Sequence, residues 1–216
     1  MENNKNKIQK IRVSEVFSTI QGEGRYAGIP MLFIRLYGCT RRCWFCDTLY
    51  AVEGGNYTEM SVRGIVDMIK KSGLKCICWT GGEPLLQRAG IFDIIKELRL
   101  EGSYFHSLES NGDLAQPADR GLFNYLGLSP KEKKIAKKVK RIYKNSPESA
   151  YDIKVVTDLE KEGVDMLEDA TMLMPLTTNT KRDQKIQQKV WDYCIKNNLI
   201  FTPRYQFWVW GNKKGK

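Results

Sequence analysis

The stretch Leu36-Tyr37-Gly38-Cys39-Thr40-Arg41-Arg42-Cys43-Trp44-Phe45-Cys46-Asp47-Thr48 places three thiols in one short loop, directly after an apolar run that reads as a strand. Cys39, Cys43 and Cys46 follow a C-x3-C-x2-C spacing. Thiolates this close can hold three irons of a cubane cluster and leave the fourth without a protein ligand, a coordination site open to chemistry. A zinc site normally recruits four ligands, often as two C-x2-C pairs, and the only histidine, His106, lies far downstream. Electron-transfer ferredoxins also use four cysteines per cluster. The alternative for the loop is three structural cysteines buried as small apolar side chains.

Residues 30–37 form the strand that feeds this loop, with Leu32, Ile34 and Leu36 alternating along it and Arg35 just before the cysteines. An arginine there needs an anionic partner, either a substrate carboxylate or a structural ion pair. Upstream, residues 11–20 alternate apolar and polar side chains and end at Gln21-Gly22-Glu23-Gly24. That turn could let backbone approach a planar ligand, with Gln21 and Glu23 offering hydrogen bonds, or it could be only a tight turn. Downstream, Ser61 caps a helix whose face is Val62, Ile65, Val66 and Ile69, ended by Gly73. A strand over 75–80 then delivers Gly81-Gly82-Glu83-Pro84, a strand-to-helix turn that exposes backbone groups to a bound ligand.

The alternation continues with a helix around 91–100, strands over 104–109 and 124–128, and a helix over 131–144. A strand over 151–156, a short helix near 161–167, a strand over 171–175 and a helix over 183–197 follow. This pattern predicts an α/β domain with a parallel sheet, helices outside it, and ligands at the C-terminal ends of the strands. Cys76 and Cys78 alternate on one strand and Cys194 shares a helical face with Ile186 and Val190, so all three read as core. His106, inside a strand, reads as a satisfied structural residue rather than a catalytic one.

With 216 residues, 42% hydrophobic and 28% charged, the chain predicts one globular domain over 1–216. No apolar run approaches a membrane span and the polar start lacks a secretory signal, which predicts a cytoplasmic protein. The formal net charge of +10 fits either a nucleic-acid partner or a basic surface that attracts small anions. Its densest part, residues 131–144, sets Ile135, Val139 and Ile142 at helical spacing among lysines. Without interleaved aromatics that run reads as a solvated amphipathic helix, and direct nucleic-acid binding is not expected.

The three-cysteine loop, followed at a strand end by Trp79-Thr80-Gly81-Gly82-Glu83-Pro84, resembles the radical S-adenosylmethionine (SAM) enzymes. There the SAM amine and carboxylate chelate the open iron, and the reduced cluster cleaves SAM to a 5′-deoxyadenosyl radical. Phe17-Ser18-Thr19-Ile20-Gln21-Gly22-Glu23-Gly24, residues 33–39, Cys46-Asp47-Thr48, Thr80 to Pro84, Leu128-Ser129-Pro130-Lys131 and residues 210–215 narrow the resemblance to the 7-carboxy-7-deazaguanine synthase family. That resemblance implies an incomplete (β/α)6-type barrel, a homodimer, a [4Fe–4S] cluster, SAM and Mg2+. It also implies 6-carboxy-5,6,7,8-tetrahydropterin as substrate, loss of ammonia, a product on the route to queuosine-type nucleosides, and an electron donor such as flavodoxin or ferredoxin.

Carried over by position, the resemblance gives the pterin to Ile20, Gln21, Gly22, Glu23, Thr80 and Gln206, and its carboxylate to Arg35. It gives Mg2+ to Thr48, SAM to Phe45, Gly82, Glu83, Glu109, Ser129 and Lys131, and a C-terminal substrate contact to Lys216. Two positions depart from the family pattern: Gln206 stands where a histidine is usual, and Ser110-Asn111 where a threonine is usual. The rival expectations are a glycyl-radical activase acting on protein, which leaves Gln21 to Gly24 and Arg35 without a task, and a basic RNA-binding protein with a structural cluster.

Overall fold

The computed structural model describes residues 10–177, 181–211, 213 and 215. Nine strands form one sheet in the order β3-β1-β2-β4-β5-β6-β7-β8-β9. They are β1 (Lys10–Ile20), β2 (Pro30–Leu36), β3 (Thr58–Ser61), β4 (Cys76–Gly81), β5 (Phe105–Ser110), β6 (Tyr125–Leu128), β7 (Tyr151–Thr157), β8 (Met172–Pro175) and β9 (Ile200–Phe201). The helices are α1 (Val62–Ser72), α2 (Arg88–Arg99), α3 (Lys133–Tyr143), α4 (Lys181–Asn197) and α5 (Tyr205–Trp210).

From β2 through β9 every neighbouring pair is parallel. Those crossovers run through α1, α2, α3 and α4 and through two 3-10 helices, Pro117–Gly121 and Val164–Asp169. The second of these stands where the sequence predicts an ordinary short helix. β1 differs: it pairs antiparallel with both β2 and β3. Loop 21–29 is shorter than the dozen or so residues that a parallel crossover needs, so the chain turns straight back.

That reversal corrects one expectation. The C-terminal end of β1 lies beside the start of β2, Ile20 opposite Pro30, so the Gln21 to Gly24 turn enters from the N-terminal ends of the parallel strands. There Tyr26 packs on Phe105 and Tyr125, centroids 4.8 and 5.0 Å away, and Arg25 grips buried Asp152 through two bonds of 2.9 Å. The cysteine loop and the glycine turn occupy the opposite, C-terminal ends.

The sheet is open rather than a closed barrel. Loop 21–29 and the segment after β9 bridge the gap: Tyr205 N donates to Gly22 O at 3.0 Å, and Gly24 N to Thr202 Oγ1 at 2.6 Å. The apolar faces of α1, α2, α3 and α4 seal the outside with Ile65, Ile69, Ile94, Leu98, Val139 and Val190, all buried. Ser61 caps α1 by accepting from Gly64 N at 3.1 Å. His106 and Cys194 are buried, and Trp79 Nε1 donates to His106 Nδ1 at 3.2 Å. Burial holds that imidazole down to about 4, so it is a neutral core group. Among the described residues no helix is long and apolar enough to cross a membrane.

Candidate active site

One cavity of about 630 Å³ fills the interior of the curled sheet. Cys39, Cys43 and Cys46 lie on its wall, free and half-buried. Their loop is pinned from two sides. Arg41 pairs with both oxygens of Asp113 at 2.7 and 2.6 Å and reaches Glu132 at 2.5 Å, which ties the loop to the chain after β5 and before α3. Thr40 Oγ1 adds a bond to Asp113 at 2.7 Å.

The donor set suits an iron–sulfur cubane. Three free thiols stand on one wall of the cavity, and a cubane takes one thiolate per iron. Arg41 N and Asn111 Nδ2 point at Cys39 Sγ, 3.4 and 3.8 Å away, and such N–H groups favour a thiolate. Burial pushes the Cys39 and Cys43 thiols up, a penalty that metal ligation removes.

The glycine turn backs the same loop. Glu83 N donates to Gly38 O at 2.8 Å, and a Cβ on Gly82 would overlap that carbonyl and stand 2.9 Å from Cys39 Cβ. Gly82 therefore allows β4 and the cysteine loop to meet backbone to backbone. Glu83 is fully buried. Its carboxylate accepts from Leu85 N at 3.0 Å, Asn111 N at 2.8 Å and Ser110 Oγ at 2.8 Å. Those donors offset the burial that raises its pKa. Glu83 knits the glycine turn to the end of β5, and the unusual Ser110-Asn111 pair supplies two of its donors.

Phe45, Gly82, Glu109, Ser129 and Lys131 all line the cavity. Lys131 Nζ donates to Ser129 Oγ at 2.7 Å and sits 5.6 Å from the Phe45 ring centre, and burial lowers its pKa. Thr48 and Thr80 line it too, with Thr48 Oγ1 3.7 Å from Cys46 Sγ.

Ile20, Gln21, Gly22, Glu23, Arg35 and Gln206 form the remaining wall. Glu23 accepts from Lys154 Nζ at 2.8 Å, Gln206 Nε2 at 2.7 Å and Arg204 Nε at 3.3 Å. Burial works against its charge, but the Lys154 and Arg204 cations prevail and hold the carboxyl down to about 2. A Cβ on Gly22 would fall into the Gln206 amide. Gln206 Oε1 is buried against Gly22 and has no hydrogen-bond partner among the described residues. Arg35 Nε bonds Glu15 at 3.0 Å, and Glu15 also accepts from Tyr50 OH at 2.7 Å. The structural ion pair foreseen as an alternative is thus present, yet it engages only one edge of the guanidinium. Lys216 lies outside the described residues.

Two charged residues escaped the sequence reading. Lys154, 4% exposed, bonds both Glu23 and Glu109. Arg204 joins Glu23 to Asp47 of the cysteine loop and stacks on Phe207, 3.8 Å from its ring centre. The alternation of Asp152 and Lys154 within an otherwise apolar strand was the available signal for Lys154.

Residues 33–175 match the radical SAM superfamily. A 7-carboxy-7-deazaguanine synthase of Pyrobaculum aerophilum is 31% identical over 96% of this chain and 98% of that protein. The chain belongs to the 7-carboxy-7-deazaguanine synthase family of radical SAM enzymes. The fold of QueE from Escherichia coli superposes with a TM-score of 0.68 at 19% identity, covering 90% of this chain and 93% of that one. AdoMet-bound anSMEcpe, in complex with a peptide, matches at TM-score 0.54 and 18% identity over 82% of this chain and 64% of that one. Membership in the family brings a [4Fe–4S] cluster and SAM as cofactors.

Proposed function

We propose that this enzyme converts 6-carboxy-5,6,7,8-tetrahydropterin to 7-carboxy-7-deazaguanine with loss of ammonia, in the synthesis of queuosine-type 7-deazapurines. The observation that carries the reading is the meeting of two walls in one cavity: three thiols with the glycine turn, and Gln21, Glu23, Arg35 and Gln206. Cys39, Cys43 and Cys46 would hold the cluster, which with SAM would supply the radical chemistry that takes a hydrogen from the substrate. A peptide-activating enzyme would have no use for the second wall.

The chain's own groups orient and enclose the substrate. Arg35, steered by Glu15, offers its two terminal nitrogens to the pterin carboxylate, a planar fork matched to that group. Glu23 is an ionised acceptor for ring N–H groups, and the Gln206 amide, which donates to Glu23 at 2.7 Å, lies beside it. Glutamine does not titrate, so this contact stays constant across neutral pH, unlike a histidine. Gly22 lets the Gln206 amide pack against the loop backbone, Ile20 lines the same wall, and Thr80 also lines the cavity. Glu109, Ser129, Lys131, Phe45 and the Gly82 backbone form the SAM side. The Thr48 hydroxyl fits as one ligand of Mg2+ completed by water and substrate oxygens.

The reading also includes a homodimer, a flavodoxin or ferredoxin as electron donor, and a cytoplasmic setting, since cluster assembly and one-electron reduction need a reducing compartment. The test is an anaerobic assay of reconstituted protein with SAM, dithionite, Mg2+ and carboxytetrahydropterin, read by mass spectrometry. Formation of 7-carboxy-7-deazaguanine is expected. SAM cleavage without it, across a range of Mg2+ and substrate concentrations, would refute the substrate assignment.

A further inference from the structure

Lys154 lies in the middle of β7 with its side chain turned into the cavity, and among the described residues two carboxylates pair with it. Its Nζ stands 2.8 Å from Glu23 Oε2 and 2.9 Å from Glu109 Oε2. The two carboxylates have unequal support. Glu23 also receives Arg204 and Gln206, whereas Lys154 is the one cation bonded to Glu109 among the described residues. Glu109 is packed against the β6 backbone at Gly127, where a Cβ would stand 2.8 Å from either carboxylate oxygen, so it cannot retreat toward β6.

We propose that Lys154 is a positioning residue that fixes Glu23 and Glu109 on either side of one ammonium, and that Glu109 alone depends on it to remain an anionic acceptor for SAM. The inference rests on the assignment of Glu109 to the SAM side. The groups facing Glu109 are Lys154 on β7, Glu23 on the loop after β1, Lys131 after β6, Tyr125 on β6 and Cys78 on β4. Even beside Lys154 the Glu109 carboxyl lies above the usual carboxylate range: burial is the largest cause, the Glu23 charge adds to it, and Lys154 is the first group that opposes them. Without the ammonium, two buried carboxylates within a few ångströms do not both stay charged. Glu23 keeps Arg204, so the proton goes to Glu109.

The sign of the pH effect follows. Removing the ammonium in Lys154→Met shifts Glu109 further toward its neutral form, and rising pH restores the anionic acceptor. SAM affinity of the variant should therefore be about ten- to a hundred-fold weaker than wild type at pH 7, and the gap should narrow toward pH 9. Lys154→Arg should restore most of it. Glu109→Gln should show a similar loss at pH 7 that does not recover with pH, and adding it to Lys154→Met should cost little more at pH 7.

The experiment is equilibrium binding of SAM to the anaerobically reconstituted holoenzyme and these variants at pH 7, 8 and 9, with iron content and far-UV circular dichroism checking that each is folded and loaded. A Lys154→Met defect that is independent of pH, or no defect while Glu109→Gln is impaired, would overturn the proposal for Lys154. Wild-type SAM affinity in Glu109→Gln would instead overturn the SAM assignment of Glu109, and with it the two-sided role of Lys154. If Lys154→Met fails to load iron, the contrast of Lys154→Arg with Glu109→Gln still decides, because a charge-positioning role requires Lys154→Arg to bind SAM far better than Glu109→Gln across the pH range.

Discussion

The two walls of the cavity are built in opposite ways. The cluster wall comes from consecutive residues: Cys39 to Thr48 in one loop and Gly81 to Pro84 in one turn, pressed together through Gly38 and Gly82. The facing wall is assembled from Gln21, Gly22 and Glu23, Arg35, Lys154, Arg204 and Gln206, drawn from nearly the whole length of the chain. The first wall holds its shape by the backbone contact of Gly38 with the glycine turn and by Arg41, which anchors the cysteine loop to Asp113 and Glu132. The second holds its shape by charge, with Glu23 at the junction of Lys154, Arg204 and Gln206. Changes to the first should remove the cofactor. Changes to the second should spare it and damage recognition of the substrate, except at Lys154, which bonds Glu109 on the SAM side as well as Glu23.

The largest effects belong to the cluster wall. Cys39→Ala, Cys43→Ala and Cys46→Ala should each abolish SAM cleavage, while Cys76→Ala and Cys78→Ala should keep it, read as 5′-deoxyadenosine and iron per chain after reconstitution. Iron loss in Cys76→Ala as complete as in Cys39→Ala would put the cluster on the wrong cysteines. Next comes Gly82→Ala, where the new methyl meets the Gly38 carbonyl and Cys39 Cβ. Because backbone rather than a flexible side chain must yield, about 1–3 kcal/mol of stability should be lost, with lower iron occupancy. Chemical denaturation and iron analysis check both.

On the facing wall, Arg35→Ala should weaken the carboxylated substrate by about 2–5 kcal/mol, and Arg35→Lys should also impair it, because an ammonium lacks the two-pronged geometry. Anaerobic calorimetry with the pterin should show this loss while SAM binding holds, and a pterin without the carboxylate should barely distinguish the variants. The smallest effect is that of Thr48→Val, which keeps shape and removes one hydroxyl. It should reduce the stimulation of turnover by Mg2+ and leave SAM binding intact. An unchanged Mg2+ response would remove Thr48 from the metal.

The same contrast explains what was legible in the sequence. Cys39, Cys43, Cys46 and the glycine turn are readable because their meaning lies in short spacings, and strands β2 and β4 to β8 are readable from apolar runs bounded by turns. Edge strands β3 and β9 and the short α5 were not, since four, two and six residues carry no period of their own. The antiparallel β1 was hidden as well, because alternation marks a strand but not its direction. At Glu83 the motif marks the position, but only the fold shows its carboxylate turned inward to Ser110 and Asn111. Lys154 and Arg204 depend on partners more than a hundred residues away, which no local pattern records.

The division between the walls is tested most directly at Gly22, where a methyl would displace the Gln206 side chain and touch nothing of the cluster. The measurement is the yield of 5′-deoxyadenosine and of 7-carboxy-7-deazaguanine in one anaerobic reaction, compared between wild type and Gly22→Ala. Wild type should form both, and Gly22→Ala should still cleave SAM while its yield of 7-carboxy-7-deazaguanine falls at least about tenfold. Equal loss of both products, or no loss of either, would contradict the separation of a locally built cofactor wall from a dispersed substrate wall.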